Sequence, residues 1–177
     1  MAKWNIDPAH SVAAFSVRHM KITEVRGQFN AVTGTIEFAP DNPVLSSVNA
    51  SIDVSGVTTG NKTRDDHLRS PDFLDAERFP TMTFVSTAAE ITGTNRLKLK
   101  GDLTIHGITR PVSMDAEFFG PVKSPFGGEI TMGFTATTIL NRFDFDVKWN
   151  ELMEDGGLIA GKEVKVTLDL EADMVEE

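Results

Sequence analysis

The chain of 177 residues contains no cysteine and no tyrosine. The first absence excludes disulfides, thiolate metal sites and a thiol nucleophile; it suits a reducing compartment without proving one. The second leaves the aromatic content to 12 phenylalanines and two tryptophans, so nearly all of it is hydrocarbon. No stretch approaches the roughly 20 consecutive apolar residues of a membrane-spanning helix. The opening Met1-Ala2-Lys3-Trp4-Asn5-Ile6-Asp7-Pro8 lacks the apolar run of a signal peptide. A cytoplasmic protein is therefore expected, or a periplasmic one if a leader has been removed. No glycine-rich nucleotide loop, nucleophile elbow or metalloprotease spacing occurs. Basic charge is also scarce: the formal net charge is -9, which argues against a nucleic-acid partner.

What is present is alternation. Phe15, Val17 and His19 share one parity, with Ser16 and Arg18 on the other. Ile36 and Phe38 follow the same rule, as do Val48, Ala50, Ile52 and Val54, then Met82 and Phe84. Leu97, Leu99, Leu103 and Ile105 continue it, with Gly101 holding an apolar place. Val112 to Phe118, Ile130 to Ala136 and Val164 to Leu170 extend it, and Phe143, Phe145 and Val147 read as another such run. A strand with one wet and one dry face belongs to an antiparallel sandwich or barrel, not to a doubly covered parallel sheet. Turn signals agree at Ala39 to Pro43, Thr92 to Asn95, His106 to Pro111 and Pro125 to Gly128.

The rhythm breaks between Thr58 and Pro80. Thr63 to Arg69 and Phe73 to Phe79 read as short helical turns, with Thr63 as N-cap and Asp65 and Asp66 in the first turn. Pro71 and Pro80 prevent one long helix. Such an insertion can cover an open barrel end. Glu151 to Gly157 reads as a mobile loop before the last strand, and Val175 to Glu177 as a frayed end. Residues 1–177 are expected to form one all-β, antiparallel domain.

Several segments, taken together and in order, resemble the YceI-like polyisoprenoid-binding family. They are Trp4-Asn5-Ile6-Asp7-Pro8-Ala9-His10-Ser11, Phe15-Ser16-Val17-Arg18-His19-Met20, Val25-Arg26-Gly27-Gln28-Phe29 and Asp66-His67-Leu68-Arg69-Ser70-Pro71-Asp72-Phe73. Phe79-Pro80-Thr81-Met82-Thr83-Phe84, Gly101 to Val112 and Gly133-Phe134-Thr135-Ala136 continue the series. The resemblance implies an extended lipocalin-like antiparallel barrel with a short helical insertion, an elongated isoprenoid or related amphiphile in the interior, and a homodimer. Family members include periplasmic proteins. One departure stands out. The family's Arg-x-Asp-Phe-Gly pattern reads here Arg142-Phe143-Asp144-Phe145-Asp146, so Asp146 fills a glycine place. Aspartate can adopt the left-handed conformation, so the departure leaves the fold standing.

An eight-stranded barrel has room for interdigitated side chains or for one ligand, and the patterns fit both. With a hollow interior, the expected function is non-catalytic binding, storage or transport of an amphiphilic isoprenoid lipid or quinone. Phe15, Val17, Phe29, Ile36, Phe38, Phe84, Leu97, Leu99, Leu103, Phe134, Phe143 and Phe145 are the expected lining, each either core or ligand contact. His19 points inward at a strand end and can meet a head group or serve as a satisfied structural histidine. His67, with Arg64 or Arg69, can line a polar mouth or a solvated helix face. Arg142 can pair with a buried carboxylate, meet an anionic head group, or reach solvent. No catalytic residue, resident cofactor or metal ligand is assigned; a polyisoprenoid, isoprenoid quinone or fatty-acid-like molecule is the expected ligand. The competing readings are a metal-assisted hydrolase and a structural interaction domain.

Overall fold

The structure is a computed structural model that describes residues 1–39 and 41–175; Pro40, in the expected Ala39–Pro43 turn, and Glu176 and Glu177, in the expected frayed end, lie outside the described residues. The strands are β1 (Ala2–Ile6), β2 (Val12–His19), β3 (Thr23–Asn30), β4 (Thr33–Phe38), β5 (Ser47–Asp53), β6 (Val57–Thr58), β7 (Thr81–Gly93), β8 (Arg96–Ile105), β9 (Ile108–Lys123), β10 (Ile130–Asn141) and β11 (Ala160–Met174), with one α-helix, α1 (Lys62–Arg69).

Three pairs of these strands act as single kinked staves. β1 and β2 both pair with β11, through Trp4↔Met174 and through Val17↔Val164. Between them the chain makes a short 3-10 turn at Pro8–His10, where the Asp7 carboxylate accepts from Ala9 N at 2.9 Å. Proline has no N–H to give to a ladder, so the break falls where the sequence cannot continue a strand. β3 and β4 follow the same bend, pairing with β2 and β1 respectively, and β5 and β6 follow β4 and β3. Counted as staves, eight antiparallel strands run in sequence order around a closed ring, with β11 returning to β1 and β2. The all-β antiparallel barrel expected from the alternation is the fold.

At one end of the barrel, opposite α1, Trp4, Met132 and Ala172 are almost fully buried, and the Trp4 indole donates to Phe38 O at 3.4 Å. Phe38 meets Phe118 and Phe134 edge-on, at 4.8 and 5.4 Å between ring centres. At the other end α1 and the turns that follow it form the cover. Arg69 ties the helix down, donating from Nε to Ser55 O and from Nη2 to Val57 O, each at 2.8 Å. Leu68, Phe73 and Leu74 pack beneath against the core.

Four local features differ from those the sequence predicts. The N-cap of α1 is Asn61, whose side chain accepts from Arg64 N, and not Thr63. Phe73 to Phe79 forms hydrogen-bonded turns rather than a helical turn, closed by Arg78 N and Phe79 N on Asp75 O. The hairpin turn at His106 is two residues long, so Ile108 to Pro111 already belong to β9. Glu151 to Gly157 is a small hairpin joined by Met153 N to Gly157 O and Ile159 N to Glu151 O.

Candidate ligand cavity

The alternation that makes each strand amphipathic also decides what faces inward. From β2 come Phe15, Val17 and His19; from β3 Phe29; from β4 Ile36 and Phe38. From β7 comes Phe84, from β8 Leu97, Leu99 and Leu103, and from β10 Phe134. These side chains do not fill the barrel. They surround a cavity of about 440 Å³ whose wall is almost entirely carbon. The Phe38, Phe118 and Phe134 rings form its floor; Trp149 and His67 stand at its upper end.

Phe84 shows how the wall is shaped. Its ring lies over Gly101, where a Cβ would overlap the ring and would stand 2.6 Å from Val85 O. The apolar parity place held by Gly101 is therefore empty so that a neighbouring phenylalanine can occupy it.

Of the fifteen residues expected at the site, Phe143 is the one that does not reach the cavity. Alternation predicts a strand through Phe143, Phe145 and Val147, but Arg142–Phe145 is a 3-10 turn. At three residues per turn the two-residue parity is lost. Phe145 still lines the cavity and is buried, whereas Phe143 is half-buried outside it, below Arg142 Cζ at 4.9 Å and Lys162 Nζ at 5.1 Å. The turn ends at Asp146 with φ 58 and ψ 20, so the aspartate takes the left-handed conformation. Lys148 Nζ holds its carboxylate at 2.7 Å.

Arg142 meets neither a buried carboxylate nor bulk solvent. The residue is 7% exposed, and its guanidinium donates to four main-chain carbonyls: Gly161 O at 2.8 Å, Val147 O at 2.8 Å, Trp149 O at 2.9 Å and Ala160 O at 3.1 Å. Burial pulls the guanidinium below its ordinary value. Arg142 thus knots the long β10–β11 connection at the cavity's upper end.

His67 meets two aromatic rings edge-on, 5.0 Å from Phe73 and 4.8 Å from Trp149 between ring centres, with Nε2 2.8 Å from Asp72 Oδ2. Arg64 borders the cavity but turns its donors to Thr59, from Nε to Oγ1 at 2.7 Å and from Nη2 to the carbonyl at 3.0 Å. The Asp65 carboxylate accepts from Thr59 N and Thr59 Oγ1, which holds it below the usual carboxylate range.

Sequence parity marks the even-numbered residues of β11 as one apolar face without saying what it faces. Val164, Val166, Leu168 and Leu170 all line the cavity. Trp149, Ile159, Leu68 and Leu74 also reach it, from segments without strand periodicity. Asp7, His10 and Glu171 form a cluster outside the barrel, with His10 Nδ1 2.6 Å from Asp7 Oδ2 and 3.8 Å from Glu171 Oε1. Asp7 also caps the turn between β1 and β2, so an ion pair at a strand break accounts for the cluster.

A closed antiparallel barrel around an apolar cavity defines a fold of the lipocalin-like kind. The model of the YceI-like domain matches residues 4–172, and the chain belongs to that family. A UPF0312 protein of Staphylococcus aureus is 32% identical over 176 residues, covering 99% of this chain and 100% of the relative. The crystal structure of Burkholderia cenocepacia BcnA is similar with a TM-score of 0.82 at 25% identity, over 94% of this chain and 98% of that one. A polyisoprenoid binding domain from Saccharophagus degradans shares the fold, with a TM-score of 0.70 at 13% identity over 99% of this chain and 100% of that one. Among the described residues, no helix is long and apolar enough to cross a membrane.

Proposed function

We propose that the protein binds the hydrocarbon chain of an amphiphilic isoprenoid lipid or quinone inside the barrel, and stores or carries it without chemical change. The observation that carries this reading is the cavity itself, about 440 Å³ enclosed by carbon. A small hydrophilic metabolite would lose its water there and find almost no partner. An apolar chain gains about 0.8 kcal/mol for each buried methylene, so ten such groups offer roughly 8 kcal/mol before the costs of association. Similarity of fold to a domain described as polyisoprenoid-binding supports the choice of chain.

Catalysis requires a polar constellation around the reacting atoms. The Asp7, His10 and Glu171 cluster offers one set of polar groups, but on the opposite side of the wall from the cavity. Binding is the simpler reading. Native mass spectrometry of protein purified without detergent, followed by extraction and identification of the bound lipid, tests it. After demonstrated delipidation, one equivalent of an isoprenoid alcohol or quinone should bind and be recovered unaltered. Failure to bind isoprenoids, quinones and fatty acids alike would remove the carrier reading; recovery of a cleaved product would replace it with an enzymatic one.

A further inference from the structure

The barrel wall has a seam. β3 is paired with β2 along its whole length, but on its other edge β6 reaches only Gln28 and Phe29. From Thr23 to Gly27 that edge has no ladder partner among the described residues, and Gly27 there meets the Thr59 side chain. The Phe15 ring closes this gap from inside. It crosses Gly27, where an added Cβ would overlap Phe15 Cζ and stand 2.8 Å from Thr59 Cγ2. Thr59, the opposite lip, is fixed by Asp65 and Arg64 at the start of α1.

Outside this seam lies a second depression, of about 600 Å³, and it is polar where the interior is apolar. Glu24, Arg26, Gln28, Thr59, Lys165 and Thr167 are among its walls. Cavity and groove share Ala14 and Phe15. Among the described residues Glu24 is the one carboxylate of the groove, and three cations share it: Lys165 Nζ at 3.0 Å, Arg18 Nη2 at 3.6 Å and Arg26 Nη2 at 3.7 Å. In a chain of net charge -9 this is a local excess of positive charge. The Arg26 and Lys165 side chains are 81% and 58% exposed, so their remaining donors face water.

We propose that this outer groove is the head-group site of the amphiphile: an anionic head, phosphate or carboxylate, rests against Arg26 and Lys165 while its chain passes Phe15 at the Gly27 seam into the barrel. The inference rests on the carrier reading and deepens it. The interior wall has almost no polar surface to receive a head group, so the head must lie outside, and this groove adjoins the cavity at Ala14 and the Phe15 ring. A charge-assisted contact of this kind contributes through hydrogen bonds that a neutral alcohol only partly replaces.

The test compares geranylgeranyl phosphate, geranylgeranoic acid and geranylgeraniol, three ligands with one tail, on the delipidated full chain at low salt. At least one of the two anions should bind about tenfold more tightly than the alcohol; which of them leads identifies the head as phosphate or carboxylate. In an Arg26→Glu, Lys165→Glu double variant, that preference should collapse. In Thr167→Lys, which adds a cation to the same exposed wall, it should rise. Equal affinity of the native chain for all three lipids, or an unchanged preference in both folded variants, would overturn the groove assignment while leaving the carrier reading intact. Binding of none of them would remove both.

Discussion

Phe15 on β2 and Gly27 on β3 are register partners, and the ring of the first occupies the space that a side chain on the second would need. The two positions form one unit. Gly27→Val is expected to push the ring off its place, with a destabilisation of about 1–3 kcal/mol as for overpacking elsewhere. Because the clash is with this one ring and with the Thr59 methyl group, Phe15→Ala in the same chain should recover part of the loss. A double-mutant cycle by urea denaturation measures the coupling; strictly additive effects would show that the ring and the glycine do not share the space.

Phe134 stands in the aromatic floor, edge-on to Phe38. Phe134→Asp places a carboxylate against the end of a hydrocarbon chain, and lipid affinity should fall by at least tenfold. Ala136→Phe, which adds bulk to the same wall without charge, should also reduce uptake while the domain stays folded. Lipid titration alongside circular dichroism separates loss of site from loss of fold. Unchanged affinity in both folded variants would remove this part of the wall from the ligand's path.

Arg142 holds four carbonyls of the β10–β11 connection. Arg142→Met leaves those acceptors without their charged donor, and a loss of about 3 kcal/mol or more is expected. Arg142→Lys should recover little, because a single ammonium cannot reproduce the planar fork. Chemical denaturation reads both; near-native stability of the lysine variant would contradict a structural role that depends on the fork.

The outer pair at the β1–β2 break gives a pH dependence. A hydrogen bond to Asp7 raises His10 above its ordinary 6.5, and the same bond lowers Asp7 below its ordinary 3.8. The raised histidine contributes stability that is complete below 6.5 and is lost as pH climbs through its folded value. The lowered aspartate contributes stability that is complete above 3.8 and is lost as pH falls through its folded value. The melting-temperature gap between the native chain and His10→Gln should therefore be widest near about pH 5–6 and narrow toward pH 9. A gap that widens with rising pH would contradict the pairing.

How far these features could be read from sequence depends on what periodicity records. Strand parity is a local property, so Phe15, Ile36, Phe84 and Leu103 could be placed on the inner face before any fold was known. It fails where the backbone leaves the strand. The 3-10 turn at Arg142–Phe145 sends Phe143 out of the cavity although Phe145 stays in. Arg142 is bound by carbonyls as far along the chain as Gly161, and main-chain acceptors leave no signature in side-chain identity. The resemblance to the YceI-like family supplied the closed ring, since alternation alone fits a sandwich equally well. The seam at Gly27 was hidden for another reason. A glycine in a strand marks a close approach without naming what approaches.

The most direct measurement of the hollow interior uses Trp149, which lines the cavity, in a Trp4→Phe variant that removes the other tryptophan, buried outside it. Titrating the delipidated variant with geranylgeraniol should shift Trp149 emission in a saturable manner with one equivalent bound. A spectrum that does not change, together with no lipid retained through gel filtration, would contradict an interior open to a hydrocarbon chain.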